Sequence, residues 1–342
     1  MYGGALFVTT APGTADLLVG ELQALGIADA REVFGGVEGT ATLREAYSAC
    51  LWSRVGLRVL WRVAETPAAN AVELYEGIRS VDWSVHMGES DTLAVDFSGS
   101  VTGIDNSQFG ALRVKDAIVD WFREQTGERP SVDRVAPALR VNVHVARGAA
   151  FVAIDLSGDS LHRRGYRGGQ GAAPLKENLA AAILLRCGWP AIAEAGGFFV
   201  DPLCGSGTLP IEAALIAADI APGLTRVRFG FERWRGHDAA LWADLRGEAV
   251  ARGAPDRLAA GCIRGYDRDP IVLRDAEANA AHAGLAGRLQ FQRCELATLP
   301  AAPAPTGLLA VNPPYGQRLG EADALRALYK LLGERLRTGY LG

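Results

Sequence analysis

Gly197-Phe198-Phe199-Val200-Asp201-Pro202-Leu203-Cys204-Gly205-Ser206-Gly207-Thr208 is an apolar run ending in an acid, then a Gly-x-Gly turn, then the start of a helix. This stretch predicts one strand-turn-helix unit of a doubly wound α/β sheet, whose ligands sit outside the carboxyl ends of the strands. Glycines there let the backbone approach a ligand closely, and the helix N-terminus presents free N–H groups. A βα turn with no ligand is the plain alternative. A dinucleotide is another, but Pro210 stands where that fingerprint needs its third glycine.

The residues that follow continue the alternation. A helix is expected over 208–218, a strand over 262–267 ending in Asp267, a helix over 271–283, and strands over 289–293 and 308–311. A carboxylate at the tip of the second strand can accept hydrogen bonds from both hydroxyls of a ribose, which is the role expected of Asp267. Asp269 could do this instead, although capping the helix that starts near Pro270 suits it better. Glu295, after the third strand, is placed either to meet an adenine amino group or to stand solvated in a loop.

Asn312-Pro313-Pro314-Tyr315 follows the strand at 308–311. Two consecutive prolines donate no backbone hydrogen bond and stiffen the chain in an extended shape. An amino group conjugated to a ring is a poor nucleophile because its lone pair is delocalised. Asn312 Oδ1 and the Pro313 carbonyl can accept its two N–H bonds and direct that lone pair at a sulfonium methyl, which is positioning and electrostatic catalysis. Tyr315 is expected to stack on a flipped or unpaired base. A proline-stiffened turn is the bland alternative.

Before the opening stretch, a helix is expected over 176–185. Leu161-His162-Arg163-Arg164-Gly165-Tyr166-Arg167-Gly168-Gly169-Gln170-Gly171 reads as a Gly- and Arg-rich connector. The N-terminal part has a different grain. A strand at 6–8, a helix from Thr14 ended by Gly26, a strand region over 33–43 turning at Gly35-Gly36, a helix around 46–51 and a strand at 59–63 form one β-α-β-α-β set. Helices over 72–80 and 106–122 and strands over 92–97, 139–145 and 151–156 form a second, with Arg147-Gly148 in a hairpin. Such mixing predicts an α+β arrangement around a small antiparallel sheet.

Composition narrows the class. The 342 residues are 49% hydrophobic and 22% charged, as in ordinary globular proteins, and no apolar run is long enough for a membrane helix. The five cysteines are scattered and include no CxxC pair, so no zinc site or disulfide framework is expected, and a cytoplasmic chain with reduced thiols is. A net charge of −4 excludes a protein that coats nucleic acid by bulk electrostatics and leaves room for a local basic patch.

The segments DPLCGSGT, Asp267 and NPPY resemble three motifs of class I methyltransferases that act on amino or amide nitrogen. YSACLWSRVGLRVL, NSQFGALRVKDAIVDWF, RVNVHV, AIDLSGDSLHRRGYR and APLKENLAAAILLRCGW resemble the THUMP-bearing large-subunit ribosomal RNA methyltransferases, above all the guanine-N2 half (L) of the bifunctional K/L family. The resemblance implies a ferredoxin-like portion at 1–60, a THUMP RNA-binding domain at 45–156, a linker at 157–171 and a class I, Rossmann-like methyltransferase domain at 172–342. It implies S-adenosyl-L-methionine as cofactor, with contacts from Asp201, Pro202, Cys204, Gly205, Ser206, Gly207, Thr208, Asp267 and Glu295. Glu295 stands where the family more often has Asp. Catalysis is implied at Asn312, Pro313, Pro314 and Tyr315, and contact with 23S ribosomal RNA at Arg163, Arg164, Tyr166 and Arg167. The N6 of adenine and a transfer-RNA guanine are the rival targets, and an RNA-binding fragment with an inert catalytic half is the rival of another class. A class I sheet needs further strands after NPPY, and residues 316–342 hold room for a helix and little else, so a C-terminally truncated domain is expected.

Overall fold

The computed structural model describes residues 3–168, 175–314 and 322–340. Tyr315 and residues 169–171 of the connector lie outside these. The chain divides into two compact units, Met1–Leu161 with Arg228–Leu245, and His162–Val227 with Arg246–Gly342. No helix among the described residues is long and apolar enough to cross a membrane.

The first unit contains β1 (Gly4–Thr10), α1 (Ala15–Ala24), β2 (Arg31–Val33), β3 (Gly36–Ala41), α2 (Leu43–Trp52), β4 (Gly56–Pro67), α3 (Ala71–Arg79), β5 (Thr92–Gly99), α4 (Ser107–Thr126), β6 (Ser131–Val132), β7 (Leu139–Ala146) and β8 (Ala149–Asp155). All eight strands join one sheet in the order β2-β3-β1-β4-β8-β7-β5-β6. The sequence predicts a small antiparallel sheet. The larger one forms because β4, 12 residues long, pairs with β1 on one side and β8 on the other. The sheet is mixed, since β5 runs parallel to both β7 and β6.

Local chemistry sets the ends of these elements. Thr42 and Glu45 form a reciprocal capping box that starts α2, and the Asn106 side chain accepts from Phe109 N (2.8 Å) to start α4. Thr14 sits at the N-cap position of α1, but its hydroxyl donates to Ala11 O (2.8 Å) and does not cap the helix. Arg147 (φ 53) and Gly148 (φ 76) supply the two positive φ angles of the tight β7–β8 hairpin.

The second unit holds α5 (Glu177–Arg186), α6 (Trp189–Glu194), β9 (Phe198–Asp201), α7 (Thr208–Ala217), α8 (Ala239–Arg252, along which the unit boundary falls), β10 (Ile263–Asp267), α9 (Pro270–His282), β11 (Gln290–Arg293), β12 (Gly307–Leu309) and α10 (Ala322–Gly339). Its four strands are all parallel, in the order β11-β10-β9-β12. Side chains of β9 alternate between two cores, as a pleated strand buried on both faces requires. Phe199 packs with Ala180 and Leu184 of α5, Ile211 and Leu215 of α7, and Ala280 of α9. Phe198 and Val200 point the other way, into a cluster with Tyr266, Leu296, Leu299 and Leu332 of α10. Helices on both faces of a parallel sheet make this a doubly wound fold.

Candidate active site

Parallel register brings the sequence-predicted residues to one edge of the four-stranded sheet. Gly265 of β10 lies opposite Asp201 of β9, and Leu309 of β12 lies opposite Val200, with Ala310 N donating to Val200 O (3.1 Å). Asp201, Asp267, Glu295 and Asn312 therefore all stand at or just past the carboxyl ends of their strands. The strand order reverses direction between β9 and β12, the switch point where such sheets bind ligands.

The 202–207 turn is held from below by two bonds to β10. Cys204 N donates to Tyr266 O (2.8 Å), and Gly205 N donates to Asp267 Oδ2 (3.0 Å). Asp201 Oδ1 accepts from Leu203 N (3.0 Å). A side chain on Gly265 would meet Cys204 Sγ at 2.9 Å and the Phe291 ring at 2.8 Å, so only glycine lets the turn sit this close to β10. Burial pushes the Cys204 thiol well above its ordinary range, so it serves as packing and not as a nucleophile. Pro202, Gly207 and Thr208 are buried, whereas Gly205 and Ser206 are partly exposed. Space is open above Gly205, and no side chain caps the N-terminus of α7.

Asp201 is 2% exposed. Burial pushes its carboxyl from 3.8 up to about 8, helped by the Asp267 carboxylate and opposed by the Leu203 N–H. The native state therefore favours the protonated form, and its stability declines as pH rises from 3.8 through about 8. Asp201→Asn should remove that decline. Measured by urea midpoints, the variant should gain on the parent protein between pH 6 and pH 9, and parallel curves would contradict the assignment.

Asp267 Oδ1 accepts from Asp269 N (3.0 Å) while Asp269 Oδ1 accepts from Ile271 N (2.8 Å), so Asp269 is the helix cap. A carboxylate has about four acceptor sites, so Asp267 keeps capacity for outside donors. Glu295 is exposed after β11, and its carboxylate does not cap the short turn that follows. Asn312 and Pro314 are exposed and Pro313 half-buried. Tyr329 of α10 donates to Pro314 O (3.3 Å), which ties the loop to that helix.

Arg164 and Tyr166, expected from sequence to touch RNA, are instead core residues at 2% and 1% exposure. Glu212 of α7, fully buried, lies 3.6 Å from Arg164 Nε and accepts from the Tyr166 hydroxyl (3.1 Å). Removing Arg164 from this pair would strand a buried charge, which explains why the guanidinium faces inward. Arg167 is also turned inward, donating to Glu177 Oε1 (3.0 Å) and Thr208 Oγ1 (2.8 Å). Burial works to raise the Glu177 carboxyl, but the hydrogen bond from His162 and the Arg167 charge outweigh it and hold it below its usual range. Of the four, Arg163 alone is exposed.

Asn279 of α9 was not singled out by the sequence. Its Nδ2 donates to Ser206 O (3.0 Å) and its Oδ1 accepts from Gly168 N (3.1 Å), joining the glycine turn to the 162–168 segment. A lone Asn in the alanine-rich stretch Ala276-Glu277-Ala278-Asn279-Ala280-Ala281 was the available signal.

The residues present fit an adenosyl-type cofactor. A free helix end and open glycine turn lie beside an acid at the tip of the adjacent strand, with a second acid after the strand beyond. This sheet order and edge are those of a Rossmann-like, doubly wound fold, the frame of class I methyltransferases. Family models agree, matching "RMKL-like, methyltransferase domain" over residues 164–340, "THUMP domain" over 68–155 and "RlmL ferredoxin-like domain" over 5–60. The chain belongs to the RMKL-like methyltransferase family. It is 51% identical over 340 residues to the ribosomal RNA large subunit methyltransferase K/L of Pseudomonas paraeruginosa (strain DSM 24068 / PA7), covering 98% of this chain and 47% of that protein. The chain thus spans about half the length of the curated relatives it matches. Among solved structures, a predicted N6-adenine-specific DNA methylase from Listeria monocytogenes str. 4b F2365 is 32% identical with a TM-score of 0.85, covering 98% of this chain and 86% of that one. SMU.472 complexed with SAH is also 32% identical with a TM-score of 0.85, covering 99% and 88%.

Proposed function

We propose that this chain transfers a methyl group from S-adenosyl-L-methionine to N2 of a guanine in 23S ribosomal RNA. The observation that carries the reading is the convergence of the glycine turn, Asp267 and Asn312-Pro313-Pro314 on one edge of a parallel sheet. The names of the K/L relatives supply the RNA. In this reading residues 1–60 and 45–156 present the RNA, 157–171 link, and 172–342 catalyse, apart from the Arg228–Leu245 excursion into the first unit.

The bound cofactor supplies a methyl group on a cationic sulfur. The open turn at Gly205 and Ser206 and the N-terminus of α7 hold its amino-acid end, Asp267 accepts from the ribose hydroxyls, and Glu295 meets the adenine. Asp201 and Cys204 act through the turn they brace. Asn312 Oδ1 and the Pro313 carbonyl accept the two N–H bonds of the target amino group, with Tyr315 stacked on the base. Asp267→Ala should weaken S-adenosylhomocysteine at least ~10-fold in calorimetry, since two hydrogen bonds to a charged acceptor are lost. Unchanged affinity would remove Asp267 from the cofactor site.

The test of the whole reading is transfer of labelled methyl to undermodified 23S RNA, followed by nucleoside analysis. Labelled N2-methylguanosine supports it. Labelled N6-methyladenosine would replace it with the activity named for the Listeria structure. Label only in transfer RNA would move the substrate, and RNA binding without cofactor binding or transfer would leave an inert RNA-binding fragment.

A further inference from the structure

In the first unit a small cleft is lined by Pro137, Arg140, Asp159, Arg228, Gly230 and Arg233. Two of its three arginines come from the Arg228–Leu245 segment, which the chain contributes from within its methyltransferase half. That segment is seated firmly. Phe231 N donates to Leu156 O (3.2 Å), and a side chain on Gly230 would meet Asp155 O at 2.5 Å and Gly158 N at 2.6 Å. The close approach leaves Arg228 and Arg233 exposed on the rim.

Arg140, on β7, is anchored in the same cleft. Its Nη1 lies 3.2 Å from Asp96 Oδ2 and its Nη2 donates to Arg134 O (3.0 Å), while its Nε, shielded from solvent, has no hydrogen-bond partner among the described residues. Arg228 has no hydrogen bond or ion pair among the described residues, and Arg233 makes one long contact, 3.4 Å to Ala136 O. Of the nearby acids, Asp96 is engaged by Arg140. Asp159 lines the cleft, and Asp133, close enough to feel both rim arginines, already accepts from Val135 N and Ala136 N. A chain of net charge −4 thus gathers three arginines at one small cleft, two of them outside any ion pair among the described residues.

We propose that Arg140, Arg228 and Arg233 seat a phosphate of the substrate RNA backbone, so the segment from the catalytic half completes the RNA-binding face of the N-terminal unit. This rests on the RNA-methylation reading above. Arginine forks hold phosphate oxygens in pairs, and such contacts fix position without reading sequence.

The test is filter binding of the whole chain to unmodified 23S RNA across a salt series. R228Q/R233Q should bind at least ~10-fold more weakly near 0.15 M salt, and the slope of log K against log salt should flatten by about 1, the share of one phosphate. R228K/R233K should keep the slope. R31Q, which removes an exposed arginine of β2 paired with Glu38, serves as the control for charge lost away from the cleft, its effect doubled to match the two charges that R228Q/R233Q removes. All variants should keep the parent thermal midpoint, because none of these side chains is in the core. Equal affinity and slope for R228Q/R233Q and the parent, or an equal fall in R31Q once doubled, would overturn the phosphate seat. Failure of the parent chain itself to bind RNA would instead sink the RNA-methylation reading.

Discussion

Asn312→Ala should lower kcat for methyl transfer by about 10²–10³-fold while leaving S-adenosylhomocysteine affinity nearly unchanged, a loss of about 2.7–4 kcal/mol in the transition state alone. The split follows from position. Asn312 is exposed just past β12, on the far side of β9 from Asp267. Its side chain can meet a substrate without sharing the contacts that hold the glycine turn. The target amino group gains positive charge only as its nitrogen attacks, so acceptors at Asn312 Oδ1 and Pro313 O gain most at that moment. Asn312→Asp keeps an acceptor at the same place and should retain more activity than the alanine variant. Single-turnover transfer to undermodified 23S RNA is the measurement. An alanine variant within about threefold of the parent, a difference of ~0.65 kcal/mol, would remove Asn312 from catalysis.

The edge proposed to carry this chemistry was legible in the sequence because each of its parts is local. An apolar strand, an acid at its end and a glycine turn all fall within 197–208, and the same short-range grammar marks Asp267 and Asn312. The doubly wound order needed only the assumption that parallel strands align their carboxyl ends. What escaped depends on partners far away in the chain. Arg164 and Tyr166 looked like a surface basic-aromatic patch, and only Glu212, 46 residues beyond Tyr166, turns them into a core. Nothing near Arg164 announces that a carboxylate will be buried opposite it. The eight-stranded sheet escaped for the same reason. Strand existence follows from local pattern, but the sharing of β4 between β1 and β8 is a long-range pairing. The Arg228–Leu245 segment gave no warning either, because its aromatic residues read equally well as part of the surrounding domain.

That segment supports the second large effect. Phe231→Ala should destabilise the first unit by about 3–5 kcal/mol, the usual cost of deleting a buried phenyl ring. Phe231 is fully buried. Its ring stacks on Tyr47 at 4.0 Å and on Phe229 at 5.4 Å, and meets Trp242 edge-on at 5.0 Å. Beneath it the Tyr47 hydroxyl bonds His237 Nδ1 (2.9 Å) and accepts from Asp238 N (3.2 Å), and burial pushes that phenol up to about 12. The ring thus sits at the centre of a cluster whose members come from both α2 and the returning segment. Its loss cannot be repaired by a neighbour, since Phe229, Tyr47 and Trp242 already contact one another or Phe231 on fixed faces. Phe231→Leu refills part of the volume and should recover about half of the loss. The expected readout is a lower urea midpoint in near-ultraviolet circular dichroism, which reports Tyr47 and Trp242, together with faster tryptic cleavage at Arg228, Arg233 or Arg235. Cofactor affinity gives the discriminating comparison. Glycine turn, Asp267 and α7 all belong to the second unit, so S-adenosylhomocysteine should bind the folded variant as it binds the parent. RNA affinity should fall with the seating of Arg228 and Arg233. A variant as stable as the parent would mean that the aromatic cluster does not hold the segment in place.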